Sequence, residues 1–118
     1  MIRDPFQFVN LDAVDIDGER VLMTHPLTLL QSPDPVLVEF YVKTCPPCHR
    51  LEPKLVKFAQ DHDLRVLKID CFRFEDIAEQ FKIEGTPTVL VVKNGMEYAR
   101  QEGAMTVKEL EALLAKAQ

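Results

Sequence analysis

The sequence predicts a mixed α/β domain, and three observations carry that prediction. An apolar strand at 36–42 is followed by a long helical stretch and then by a second strand at 65–70, the order that parallel neighbours require. Downstream, Asn94-Gly95 sits between two extended runs and marks an antiparallel hairpin. Together these demand one mixed central sheet, with helices covering both faces.

Taken in chain order, residues 13–16 and 20–23 flank Asp17-Gly18, a dipeptide that tolerates the positive φ of a tight turn, which predicts an N-terminal hairpin. Thr24 can cap a short helix through Gln31, with Pro26 tolerated in its first turn, before Ser32-Pro33-Asp34-Pro35 stops it. Residues 36–42 are apolar on both faces except for Glu39, as a central strand between helices must be. From Pro46 to about His62, Leu51, Leu55, Phe58 and Ala59 recur at helical spacing, and Pro53 predicts a kink. Residues 65–70 form the next strand and 75–81 a short helix. The hairpin pairs 88–92 with 97–101. Thr106 and Glu109 then form a capping box that opens a last helix to about Ala117.

Composition narrows the functional classes. At 118 residues and 47% apolar content there is material for one core, so 1–118 is read as one domain, with 1–19 as an N-terminal extension. The net charge is -5 and the 14 basic residues are spread along the chain, which speaks against nucleic acid or anionic lipid as partners. No apolar run exceeds four residues, and the first residues lack a signal-like apolar stretch, so a cytoplasmic location without a membrane span is expected.

Of three cysteines, Cys45 and Cys48 stand three residues apart directly after the first buried strand. Residues so spaced on a first helical turn come within the roughly 4.4–6.8 Å that a disulfide needs between α-carbons. The position puts Cys45 at a helix N-terminus, where free N–H groups favour a thiolate, and this makes it the candidate nucleophile. Pro46 and Pro47 suit that first turn and stiffen it, but neither supplies an N–H. Other readings compete. Cys45-Pro46-Pro47-Cys48-His49 also matches covalent haem attachment, which would need export, a second axial ligand and an α-rich wrapper rather than a sheet strand before the motif. Structural zinc would need four ligands, and Cys71 with His25, His49 or His62 supplies no second close pair, so no metal is expected.

The strand ending Val38-Glu39-Phe40-Tyr41, the Cys-x-x-Cys that follows it, Pro53 five residues beyond, Gly85-Thr86-Pro87-Thr88, Lys93-Asn94-Gly95 and Gly103-Ala104 together resemble the thioredoxin family over about residues 20–118. That resemblance implies the thioredoxin fold with a cis Thr86–Pro87 bond beside the redox pair, and a substrate edge formed by Thr44, Thr86, Pro87 and Gly103. Glu39 matches the family's buried acid, with Glu as in protein disulfide isomerases, and Lys68 matches the lysine that partners it. A plain buried ion pair is the competing reading of those two residues. Two departures stand out. Thr44 replaces the usual Trp before the first cysteine, and Pro46 replaces the usual Gly. The Pro-Pro dipeptide is more similar to thioredoxin-like proteins of bacterial cytochrome maturation, whose N-terminal hairpin resembles residues 6–24.

The resemblance implies a thiol/disulfide oxidoreductase that reduces protein disulfides, with Cys45 attacking, Cys48 resolving, Glu39 taking the Cys48 proton and Lys68 tuning the acid. The pair would be its own redox cofactor, a thioredoxin reductase would recharge it, and the chain would act as a monomer in electron transport and cell redox homeostasis. An oxidase or isomerase, or a cytochrome-maturation-type thioredoxin, is the alternative within enzymes, and a thiol-bearing binding module the alternative outside them. Cys71, three residues after Lys68, falls on the other side of the sheet and is read as a core cysteine, with a regulatory thiol as the sharper alternative.

Overall fold

A strand that is buried along its whole length needs cover on two faces and partners on two edges, and Val36–Tyr41 (β1) has both. The computed structural model describes residues 30–117. The expected N-terminal hairpin lies outside them, and of the helix expected at 24–31 only Leu30, helical, and Gln31, in a turn, are described. Following β1, Pro46–Asp61 forms α1, Arg65–Asp70 forms β2 and Glu75–Gln80 forms α2. Thr88–Lys93 (β3), Met96–Glu102 (β4) and Val107–Ala115 (α3) complete the order.

The four strands are arranged β2-β1-β3-β4. β1 runs parallel to β2, with Glu39 opposite Lys68, and antiparallel to β3, with Glu39 opposite Val89. β3 and β4 form the hairpin, whose turn residues Asn94 and Gly95 have φ of 54° and 75°. Positive φ at both central residues is the geometry that matches strand twist, which is why Asn-Gly stands there. The turn is also tied inward, since the Asn94 and Gly95 amides donate to the carbonyls of Ser32 and Leu30 at 2.8 Å each.

Alternation along β1 divides the core. Leu37 packs with Leu51, Leu55, Phe58 and Ala59 of α1 and Leu110, Leu113 and Leu114 of α3 on one face. Val36, Val38 and Phe40 pack with Leu67, Ile69 and Ile77 of β2 and α2 on the other. The mixed sheet with helices on both faces is therefore present as expected. Each fully buried leucine or phenylalanine contributes roughly 2 kcal/mol of transfer free energy, so these two layers, rather than helix propensity, hold the short helices in place. α1 continues through Pro53 as a single element, and its end is closed by His62, whose ring stacks on Phe58 at 4.0 Å.

α3 starts where the sequence places it. The Thr106 hydroxyl accepts the Glu109 N–H at 3.1 Å, and the Glu109 carboxylate accepts the Thr106 N–H at 2.9 Å. Lys54 of α1 donates to the Met105 carbonyl at 2.9 Å and links the two helices at this end. Replacing Thr106→Ala should cost about 1 kcal/mol, read as a lower denaturation midpoint with an unchanged slope. A midpoint equal to wild type would mean that the box adds nothing to α3.

Candidate active site

The chain leaves β1 at Tyr41, turns, and enters α1 at Cys45, which is the residue capping the helix. Cys45 and Cys48 are joined as a disulfide, with α-carbons 5.3 Å apart. Pro46 and Pro47 fill the first two helical positions without an N–H, so the first amide the helix offers is that of Cys48. It is shared between the Cys45 carbonyl at 3.1 Å and the Cys45 Sγ at 3.3 Å, and the His49 amide also donates to that carbonyl at 3.3 Å. Both sulfurs are more enclosed than an exposed helix start suggests: Cys45 is 7% exposed and Cys48 fully buried, packed against Tyr41 and Val42. The pair is shielded because β1 ends in large side chains beneath it.

Leu37, Glu39 and Tyr41 share the face of β1 that α1 covers, since Leu37 belongs to the α1 core and Tyr41 to the cysteine cluster. Glu39 is 1% exposed, and neither carboxylate oxygen has a hydrogen-bond partner among the described residues. Burial pushes its carboxyl from 4.5 up to about 8, the charge of Glu52 adds to the rise, and Lys68 only partly offsets it. Proton exchange with a thiol, whose ordinary value is about 8.5, would therefore be close to balanced.

Lys68 acts on Glu39 through its charge, but its direct ion pair is made with another acid. Lys68 stands opposite Glu39 in the sheet register, yet its ammonium pairs with Glu52 Oε2 at 3.1 Å and lies 4.2 Å from the centre of the Tyr41 ring. Glu52 is the residue that sequence reasoning missed. It follows Cys48 by four, which puts both on one helical face, and that spacing was available as a signal. His49 is half-exposed, with Nε2 2.8 Å from the Lys43 carbonyl and Nδ1 3.6 Å from Glu52 Oε2. Its ring flanks the cluster instead of reaching into solvent alone.

On the neighbouring strand, the Thr86–Pro87 bond is cis. Thr88 pairs with Phe40, so continuing that register places Pro87 beside Tyr41, at the edge from which the chain runs to Cys45. Gly103, at φ 81°, donates its N–H to the Pro87 carbonyl at 2.8 Å. Pro87 is buried, Thr86 and Gly103 half-buried and Thr44 exposed. The structure thus joins Gly103 to the proline segment directly, while Thr44 stands on the turn before the cysteines. Cys71 lies just past β2 against the α2-side core, on the opposite face from Lys68. It is half-buried, and burial together with Asp70 pushes its thiol up to about 11.

A family model described as Thioredoxin matches residues 23–116. The chain belongs to the thioredoxin family. The chloroplastic thioredoxin Y1 of Arabidopsis thaliana is 38% identical over 84 residues, which is 70% of this chain and 49% of that protein. The thioredoxin-like protein slr0233 of Synechocystis is 36% identical over 70% of this chain and 80% of its own length. Among solved structures, thioredoxin f2 of Chlamydomonas reinhardtii superposes with a TM-score of 0.69 at 30% identity, covering 78% of this chain and 88% of that one. The chain spans about half the length of the plant thioredoxins it matches, and the four-stranded sheet described above is the thioredoxin fold. Among the described residues, no helix is long and apolar enough to cross a membrane.

Two measurements check this electrostatic reading of the thioredoxin site. Between 4.5 and about 8 the folded chain keeps a Glu39 proton that the unfolded chain has released. Raising pH through that window therefore favours unfolding. Wild-type stability relative to Glu39→Gln should fall from pH 5 to pH 8 and level off above it, by an amount on the order of several kcal/mol. A flat difference would show that the buried carboxyl titrates normally. With the pair oxidised, Cys71 should react with iodoacetamide at neutral pH about a hundredfold more slowly than an ordinary cysteine, and its rate should still be climbing at pH 9.

Proposed function

We propose that this thioredoxin-family protein is a thiol/disulfide oxidoreductase that reduces protein disulfides through Cys45 and Cys48. The observation carrying this reading is the Cys48 amide directed at the Cys45 sulfur from the start of α1, above a buried acid that has no hydrogen-bond partner among the described residues. In the reduced protein the same amide would stabilise a Cys45 thiolate. That thiolate attacks one sulfur of a substrate disulfide: the Cys45–substrate S–S bond forms, the substrate S–S bond breaks, and one substrate thiolate leaves and takes a proton from solvent. Cys48 passes its proton to the Glu39 carboxylate, through a water where direct contact is lacking, and attacks the Cys45 sulfur. The second substrate thiolate departs, and two electrons have moved from the protein to the substrate.

The direction follows from what Pro46 and Pro47 remove. A strongly oxidising pair owes its potential to a well-stabilised thiolate, and here two amide donors are missing from the turn that would stabilise it. Thr86, Pro87, Gly103 and Thr44 would hold an extended substrate segment along the cis-proline stretch that precedes β3. The pair is its own redox group in this reading, with no metal or haem. A thioredoxin reductase would return electrons to it, in the cytoplasm or another thiol-reducing compartment, with the protein acting as a monomer in cell redox homeostasis.

Cys48→Ser should accumulate a mixed disulfide on Cys45, and Cys45→Ser should form none, as read by mass spectrometry of trapped adducts. Adducts on residue 48 would reverse the assignment. Pro46→Gly restores one amide at the thiolate and should raise the potential, measured against glutathione buffers, by on the order of 30 mV. A lower or unchanged potential would remove the argument for direction.

A further inference from the structure

The lysine next to Glu39 has two acids within reach, and the structure shows it committed to the one on the helix. Lys68 and Glu39 are direct neighbours across the parallel β1–β2 pair, so their side chains leave the same face of the sheet at the same level. The Lys68 ammonium nevertheless contacts Glu52 Oε2 at 3.1 Å, above the Tyr41 ring, and leaves both Glu39 oxygens without a hydrogen-bond partner among the described residues. His49 supports the arrangement from the solvent side, with its Nδ1 3.6 Å from the same Glu52 oxygen and its Nε2 on the Lys43 carbonyl.

We propose that Glu52 is a positioning residue of the redox centre, which draws the Lys68 ammonium into its own ion pair and so leaves the buried Glu39 carboxyl without a directly paired cation. The inference rests on the oxidoreductase reading above and deepens it, since it names what sets the proton affinity of the acid. Among the described residues, the groups that bear on Glu39 are few. β2 contributes Lys68, α1 contributes Glu52 and the Cys45–Cys48 pair with His49 beyond, β1 itself contributes Tyr41, and β3 presents Val89, which is apolar.

Two consequences follow from removing the Glu52 charge. A like charge near Glu39 disappears, and Lys68 loses the acid that holds it, so it can turn to the carboxyl opposite it in the sheet register. Both favour the Glu39 carboxylate, but only the second requires Lys68. That difference makes the proposal testable against a merely structural ion pair.

The experiment follows the Glu39 carboxyl by carbon-13 NMR titration of the oxidised protein, with its signal assigned by loss in Glu39→Gln. Glu52→Gln should lower the Glu39 midpoint by at least about one pH unit. In a Lys68→Met background the same substitution should move it by less than half as much, and Glu52→Asp, which keeps the charge, should restore most of the wild-type midpoint. The pH profile for resolution of the Cys45 mixed disulfide, recorded by rapid mixing, should shift with the NMR midpoint. No shift, or an equal shift with and without Lys68, overturns the proposal. Failure of the oxidoreductase reading looks different: wild type would not reduce insulin disulfides, while Glu39 would still respond to Glu52→Gln.

Discussion

Because β1 is hydrogen-bonded to β2 on one side and to β3 on the other, its side chains must alternate between the two faces of the sheet. Val36, Val38 and Phe40 go to the α2 side, and Leu37, Glu39 and Tyr41 go under α1. The same alternation that builds a core therefore carries an acid beneath the cysteine pair. A one-residue slip in register would put Glu39 into the apolar α2 layer and Phe40 beneath the disulfide. The two apolar layers are what make that slip prohibitive, so packing far from the sulfurs sets the distance between acid and thiol.

A second dependence runs through the start of α1. A helix N-terminus normally presents several amides to an anion, and this one is thinned by two prolines until the Cys48 amide stands alone at the Cys45 sulfur. The prolines also make the turn stiff, which holds the sulfurs at disulfide spacing without relying on side-chain order. Fewer donors and a rigid geometry act on different quantities: the first sets how far the thiolate is stabilised, the second how readily the pair closes.

Charge around Glu39 shows which effect wins in a partly enclosed cluster. Lys68 is close enough to help the carboxylate, but its attraction is opposed by Glu52 and exceeded by the loss of water around the acid. At an effective dielectric constant near 20, two unit charges about 4 Å apart interact by roughly 4 kcal/mol, so a counter-charge loses much of its value once a third charge stands beside it. Burial of an ionised carboxylate costs several kcal/mol by itself. The balance leaves the acid mostly protonated near neutral pH, with a fraction present as the carboxylate that can accept a proton from a thiol.

Much of this could be read along the chain because it is local. Alternation and turn chemistry mark β1, β2 and the Asn94-Gly95 hairpin, reciprocal capping marks the start of α3, and the spacing of Cys45 and Cys48 after a buried strand marks the redox pair. Each rests on residues a few positions apart, whose interaction the backbone geometry dictates before any tertiary contact forms. The partner of Lys68 and the shielding of Cys45 were not legible in this way. Both depend on which side chains α1 presents when it lies across the sheet, where Glu52 competes with Glu39 for one ammonium and Tyr41 packs beneath the cysteine pair. The sequence by itself determined the elements, their parity and the chemistry of the pair. Only the tertiary structure decided which acid receives the lysine, because that choice compares distances and burial between groups that the chain separates and the fold brings together.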